Sequence, residues 1–296
     1  MHVEDYMHTR PITVTTEALA STAYQRMRES HIRHLPVVTG HGQLVGVITD
    51  RDMRQASTSD EPHMAEYDLT YLLEKMTVQE VMTRQVITVR RQTSVAAAAR
   101  IFLEKKCGCL PVVRDDNTLE GMLTVTDLLR AYVEQHDAAQ KTSEHPPRGV
   151  KEKRPLHVRD MTRQEVVTAS PEMSLAQVQR CMRDKGIRHV PVVSNTRLVG
   201  IVTDRDIRAA MPSPATTLSR GEIAYQMDTT PINTCMTREV VSIGSHMDMA
   251  HAARLLLAYT FGCLPVVDAG TLVGVVTEID CLRAFLALEE GSRADH

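Results

Sequence analysis

Leu44-Val-Gly-Val-Ile-Thr-Asp-Arg-Asp-Met-Arg54 returns later in the chain as Leu198-Val-Gly-Ile-Val-Thr-Asp-Arg-Asp-Ile-Arg208, with 154 residues from Thr49 to Thr203. The stretch before it returns too: His31-Ile-Arg-His-Leu-Pro-Val-Val38 becomes Gly186-Ile-Arg-His-Val-Pro-Val-Val193. A second pair is interleaved with the first. Cys107-Gly-Cys-Leu-Pro-Val-Val113 becomes Phe261-Gly-Cys-Leu-Pro-Val-Val267, and Leu119-Glu-Gly-Met-Leu-Thr124 becomes Leu272-Val-Gly-Val-Val-Thr277. Within each half the two kinds of unit are related, since Pro36 to Pro111 is 75 residues and Pro191 to Pro265 is 74. The order is A-B-A-B: two halves, each of two units of roughly 55 residues, the signature of a duplicated supersecondary element.

Every unit has the same grammar. A Met-Thr-type start (Met82-Thr83, Met161-Thr162, Met236-Thr237) leads into a short β-branched strand such as Val86-Ile-Thr-Val89. A helix follows, for example Ser94 to Lys105, with Thr93 or Ser94 as its N-cap. Ala23 and Met27 in the first unit, and Val178 and Met182 in the third, stand four apart on one helical face. Two apolar strands come next, Leu35–Val38 and Leu44–Thr49 in the first unit, joined by a turn at Gly40-His-Gly42. A second helix starts at Thr-x-x-Asp. Each unit is therefore β-α-β-β-α, an α/β class. Ser57–Tyr67, His136–Pro155 and Pro212–Thr230 read as linkers, the middle one marked by Pro146-Pro147-Arg148-Gly149.

Composition narrows the function. The chain has 296 residues, 43% hydrophobic and 24% charged, with a net charge of −3. A binder of bulk nucleic acid or of a membrane surface needs a basic surplus, which is missing. Aromatics are 3% with no Trp, too few for a single-strand stacking platform. The N-terminus MHVEDYMHTR has no apolar stretch, and no run approaches the ~20 residues that span a bilayer. A cytoplasmic protein is expected. Its six cysteines are then expected as thiols, and none forms a Cys-x-x-Cys pair. Gly-x-Ser-x-Gly, His-Glu-x-x-His and the phosphate-loop motif are absent, so nothing in the sequence points to catalysis.

The four units resemble CBS domains, and each half resembles a Bateman module, a pair of such domains. The resemblance sets the units at about 1–56, 77–135, 157–212 and 231–290, in modules 1–135 and 157–290 with a linker at 136–156. It implies four β-α-β-β-α units in two modules, packed as a disc formed within one chain or between two chains of a homodimer.

Gly-x-x-Thr-x-x-Asp ends the third strand of every unit: Gly46/Thr49/Asp52, Gly121/Thr124/Asp127, Gly200/Thr203/Asp206 and Gly274/Thr277/Asp280. In CBS domains that bind adenosine ligands, this Asp receives the ribose hydroxyls and the Thr faces the ribose or the α-phosphate. A carboxylate suits a vicinal diol, and a helix start suits phosphate. The same spacing is also that of a helix capping box.

The A units carry Arg33-His34 and Arg188-His189 before the proline, where the B units have Gly108-Cys109 and Gly262-Cys263. In the nucleotide-sensing gamma subunit of AMP-activated protein kinase, basic residues at these places contact phosphates, in the order His then Arg. The resemblance thus implies phosphate contacts from Arg33, His34, Arg188 and His189, with Arg51 and Arg205 within reach of further phosphates. It implies adenine contacts from the first strands, at Ile12, Ile87, Val167 and Val241, whose other reading is ordinary core. The expected ligand is AMP, ADP or ATP, with Mg²⁺ where the phosphates call for it, sensed on behalf of a regulated protein partner. S-adenosylmethionine is the alternative adenosyl ligand. Two other classes remain: a ligand-free interaction scaffold, and a metal-dependent enzyme built on His34, Cys109, His189 and Cys263.

Overall fold

The structure, a computed structural model, describes residues 1–56, 72–142, 156–162, 165–211 and 218–293. The expected linker Ser57–Tyr67 and residues 143–155 and 212–217 of the other two lie outside the described residues.

The valine-rich strands form one antiparallel hairpin per unit. These are β2 (His34–Val38) with β3 (Leu44–Thr49), β4 (Cys109–Val113) with β5 (Leu119–Thr124), β6 (His189–Ser194) with β7 (Arg197–Thr203), and β8 (Cys263–Asp268) with β9 (Thr271–Thr277). Each carries a register irregularity at the second valine after its proline. Sister hairpins meet at their turns. The Leu44 amide donates to the Asn117 carbonyl at 2.9 Å and the Leu119 amide to the Gly42 carbonyl at 3.0 Å. In the second half, Arg197 pairs with Thr271 and the sheet runs β6-β7-β9-β8.

The expected first strand is shorter than its β-branched sequence suggests. The first unit keeps β1 (Val14–Thr15), parallel to β2. The strand expected over Val86–Val89 is a single parallel bridge, Val89 to Val112, and the other units show Ala169 to Val192 and Ile243 to Val266. Proline explains the truncation. Val89 donates to the Pro111 carbonyl at 3.0 Å and receives the Val113 amide at 3.0 Å. The next rung towards Ile87 needs an N–H from Pro111, and proline has none.

The units do not close their own cores. Each lead-in segment packs on the sister unit instead. Thr83 exchanges backbone hydrogen bonds with Val47 across the pair (2.9 and 3.0 Å), and Thr237 does so with Ile201 (2.9 Å each way). In return His8 pairs with Met122 at 2.9 and 3.0 Å, and Val158 and Arg159 donate to Met247 and Ser245. Leu73, Val78 and Met82 are thereby buried in the core of the first unit with Leu35, Ile48 and Met53. Met227, Ile232 and Met236 are buried in that of the third with Val190, Val202 and Ile207. The Met-Thr starts follow a turn of helix, Val78–Val81 in the second unit, where Thr77 and Glu80 form a capping box.

The helices agree with their caps. Ser94, rather than Thr93, caps Val95–Lys105, accepting the Ala97 amide at 3.2 Å. Ala23, Met27, Val178 and Met182 are all buried. Two stretches expected as linker are helical. His136–Thr142 continues a helix that begins at Val125, and Arg220–Thr229 is a helix with a Ser219/Glu222 capping box and a buried Met227. The described residues fall into two compact units, the first ending at Leu128 and the second beginning at Leu129, inside the long helix. In the second unit Tyr132 meets Phe285 edge to face, with centroids 6.0 Å apart.

The exchange depends on glycine. A Cβ at Gly200 would lie 2.7 Å from Met236 Sδ and 3.0 Å from the Thr237 carbonyl, and one at Gly46 would meet Met82 and Thr83 at the same distances. Gly200→Ala is expected to cost about 1–3 kcal/mol in urea unfolding, the usual cost of overpacking. Gly221→Ala, on a helix with nothing within 4 Å of the added Cβ, is expected to leave stability unchanged or raise it.

Candidate functional site

The third strand ends where the second helix begins, and Thr-x-x-Asp sits at that joint in each unit. In all four pairs the Asp carboxylate accepts from its Thr. The Thr amides donate to Asp Oδ2 at 2.8 Å (Thr49 to Asp52), 2.9 Å (Thr124 to Asp127), 2.8 Å (Thr203 to Asp206) and 3.0 Å (Thr277 to Asp280). The Thr hydroxyls donate to the same oxygen at 2.7, 2.6, 2.7 and 2.6 Å. In the A units the box closes, with the Asp52 and Asp206 amides donating back to the Thr hydroxyl at 3.2 Å. One carboxylate oxygen thus satisfies helix-end donors, and the other is left for a different partner.

That second oxygen differs from unit to unit. Asp52 Oδ1 is 3.4 Å from the Thr83 hydroxyl of the exchanged lead-in. Asp127 Oδ1 is 3.2 Å from His8 Nε2. Asp280 Oδ1 accepts from the Arg283 guanidinium at 2.8 Å. Burial follows the partners: Asp127 and Asp280 are 1% and 3% exposed, while Asp52 and Asp206 are half-buried. His8 belongs to no motif of the sequence. Met7-His8 stands 75 residues before Met82-Thr83, the interval between Pro36 and Pro111, so this spacing was the signal for it.

The basic residues lie beside the boxes. His34 is the cross-strand partner of Thr49, and His189 of Thr203. The Arg33 carbonyl accepts the Asp50 amide, and the Arg188 carbonyl the Asp204 amide, at 3.1 Å each, which ties both arginines to the helix starts. Arg33, Arg188, Arg51 and Arg205 are exposed; His34 and His189 are half-buried. Each histidine lies over the glycine of its sister unit. A Cβ on Gly108 would be 2.3 Å from His34 Nε2, and one on Gly262 would be 2.7 Å from His189 Cε1. The glycine that replaces arginine in the B units makes room for the A-unit ring.

Of the adenine candidates, Ile12 and Ile87 are 42% and 37% exposed, and Val167 and Val241 are half-buried. Their reading as ordinary core therefore does not hold. The core positions are two residues on, at Val14, Val89, Ala169 and Ile243, all buried.

The metal-dependent alternative is corrected by burial. Cys109 packs with Val47, Met122 and Val86 in an apolar cluster. Burial pushes the Cys109 and Cys263 thiols up to about 12, so both stay protonated at neutral pH. Among the described residues no group of three or more His, Cys, Asp or Glu side chains is arranged to hold a metal ion. In native protein at pH 8, iodoacetamide is expected to leave Cys109 and Cys263 unlabelled, and to label both in urea, as read by peptide mass spectrometry.

Comparison with known proteins gives the same repeats a family. The CBS domain model matches residues 3–59, 78–134, 158–213 and 232–287. The chain is 28% identical to MJ1225 of Methanocaldococcus jannaschii over 285 residues, 93% of this chain and 95% of that one. The crystal structure of MJ1225 matches with a TM-score of 0.72 at 26% identity, covering 96% of this chain and all of that one. A crystal structure of a Pyrococcus horikoshii protein shares the fold with a TM-score of 0.65 at 21% identity, over 96% of this chain and 100% of that one. A homoserine O-acetyltransferase of Methanocorpusculum labreanum is 33% identical over 46% of this chain, but that match takes in only 25% of the enzyme. Among the described residues no helix is long and apolar enough to cross a membrane. Four matches, one to each repeat and together covering most of its length, make the chain a member of the CBS domain family.

Proposed function

We propose that this protein binds an adenosine nucleotide, AMP, ADP or ATP, and reports it through a change in the geometry of its CBS pairs. One observation carries the reading: the capping box spends only one oxygen of Asp206. Among the described residues the other accepts no hydrogen bond, on a half-buried carboxylate whose neighbours include His189 and the exposed Arg205. A carboxylate oxygen in that position can receive a ribose diol, with the guanidinium and imidazole placed for phosphate. Asp52, His34 and Arg51 stand at the same places in the first half, where the second oxygen of Asp52 also meets the Thr83 hydroxyl at 3.4 Å.

The surroundings fit an adenine as well. Ile12 and Ile87 present aliphatic surface to solvent, and the missing strand rung leaves backbone groups at this position outside the parallel pairing. MJ1225, to which the chain is similar over nearly its whole length, has been put forward as an archaeal homolog of g-AMPK. S-adenosylmethionine shares the ribose and adenine, and the basic A-unit residues favour a phosphate-bearing ligand over it.

The mechanism is a population shift. A ligand held by the box of one unit lies beside the lead-in and the glycine of its sister, and so stabilises one angle between them. A regulated protein reads the resulting surface, and the protein itself performs no chemistry.

A thermal-shift titration with AMP, ADP, ATP and S-adenosylmethionine, with and without Mg²⁺, tests the reading. A ligand at 100 times its dissociation constant adds about 2.7 kcal/mol. That corresponds to several degrees, at about 2–4 °C per kcal/mol for a module of this size. The phosphate-bearing ligands are expected to shift Tm more than S-adenosylmethionine. Asp206→Asn keeps an acceptor for the cap and is expected to weaken binding about tenfold or more, the usual worth of a hydrogen bond to a charged group. No shift with any ligand at millimolar concentration overturns the proposal in favour of a scaffold.

A further inference from the structure

The end of the second unit's hairpin farthest from its Thr-x-x-Asp motif carries charge that the other units lack. Cys109 pairs with Thr124 at the motif end. Val113 pairs with Leu119 at the other end, about 14 Å further along the strand. Beside that far end lies a hollow of about 480 Å³, walled in part by Arg90, Arg91, Gln92, Arg114 and Glu120.

The repeats supply their own control. Where the second unit has Arg90, Arg91 and Arg114, the first has Thr15, Thr16 and Thr39. The third has Ser170, Pro171 and Ser194, and the fourth has Gly244, Ser245 and Asp268. Glu120 stands where the others have Val45, Val199 and Val273. The fold therefore requires none of these four charges. In the fourth unit the chain closes the place itself, the Ser245 amide donating to Asp268 Oδ1 at 3.0 Å.

The guanidiniums are held without being used up. Arg90 fastens the strand end, donating through Nη1 to the Val113 carbonyl at 2.9 Å and to that of Arg114. Its Nη2 lies 3.4 Å from Asp115, whose side chain is fully exposed. Arg114 Nε donates to Glu120 Oε1 at 2.7 Å, and Arg91 Nη1 lies 3.7 Å from the same oxygen. Glu120, only 11% exposed, thus sets two guanidiniums side by side. Arg91 Nε meets Glu4 of the exchanged lead-in at 3.2 Å. The remaining acid of the wall, Asp116, takes the Thr118 amide at 3.0 Å. Among the described residues, both terminal nitrogens of Arg114 and Nη2 of Arg91 have no partner.

We infer that this hollow is a phosphate site, apart from the adenosine sites and independent of that reading. Two guanidiniums fixed side by side offer forked N–H groups, the arrangement that takes up phosphate. A tetrahedral phosphate can give different oxygens to each fork, whereas a carboxylate has two oxygens in one plane. The ligand would lie on the seam of the pair, since the Glu4 amide also donates to the Arg91 carbonyl at 3.1 Å.

The test is a titration of the full chain, labelled with ¹⁵N-arginine, with inorganic phosphate. It is read on the arginine Nε–H resonances, with ionic strength held constant by chloride. The signals of Arg91 and Arg114, assigned from Arg91→Thr and Arg114→Thr, are expected to shift saturably with one shared dissociation constant. Both variants install the first unit's residue at that place, and their other arginine signals check that the fold is kept. Arg114→Thr is expected to weaken the response of Arg91 about tenfold or more, the usual worth of a hydrogen bond to a charged group. Acetate is expected to give no saturable shift. Glycerol phosphate separates the sources: affinity equal to that of inorganic phosphate supports free phosphate as the ligand, and tighter binding supports a phosphate monoester. Absence of a saturable shift at Arg91 and Arg114 overturns the inference. So does an equal response to acetate, or a response of Arg91 that survives unchanged in Arg114→Thr. Shifts confined to Arg33 and Arg51 place the phosphate in the adenosine site and likewise overturn this one.

Discussion

The close approach of a lead-in segment to a glycine on the sister unit's third strand is the contact on which the rest of this structure depends. Gly46, Gly121 and Gly200 each face a Met and the carbonyl of the residue after it, at distances that leave no room for a Cβ. Through that contact Met82 and Met236 reach cores that the neighbouring units could not otherwise fill. A unit of fewer than about 60 residues buries too little surface to be secure alone, and exchange lets two such units share one enclosure. The pair is therefore the smallest piece that closes. A change at one member must also be felt by the other, because a strand of one member hydrogen-bonds to the lead-in of the other.

The same motif serves fold and site without contradiction. Glycine admits the lead-in, threonine caps the helix, and aspartate satisfies the threonine with a single oxygen. A cap of this kind is worth about 0.5–2 kcal/mol and holds the carboxylate in one rotamer. In Asp206 the other oxygen accepts no hydrogen bond among the described residues, while in Asp52, Asp127 and Asp280 it meets Thr83, His8 and Arg283. Capping and ligand recognition looked like rival explanations of Thr-x-x-Asp. In the structure the capping contacts of the A units use one carboxylate oxygen and so do not compete with a contact to the other.

Much of this was legible in the sequence, because duplication prints the same signals repeatedly. The hairpins, the α/β class and the boxes followed from four copies of one pattern. The first strands were overread at Val86–Val89, since β-branched residues advertise a strand even where Pro111 denies it a rung. The helix Arg220–Thr229 was hidden by the loop-like residues Pro212–Ser219, although Ser219 and Glu222 spell a capping box. The exchange of lead-ins was invisible for a deeper reason. Sequence similarity shows which segments are equivalent, and every lead-in is equivalent to every other, so the pattern is the same whether a segment packs on its own unit or on its sister.

Histidine over glycine shows how the two kinds of unit became complementary. Taken alone, Gly108 and Gly262 look like phosphate-binding positions that lost their arginines. In place they are the ground on which His34 and His189 lie, at distances that a side chain would forbid. An A unit facing another A unit would set an arginine where this ring must go, so the histidine in its present position requires a B unit opposite. His34 therefore belongs to β2 of one unit and lies against the backbone entering β4 of the other. The alternation of A and B units places one such histidine in each half of the chain, His34 over Gly108 and His189 over Gly262.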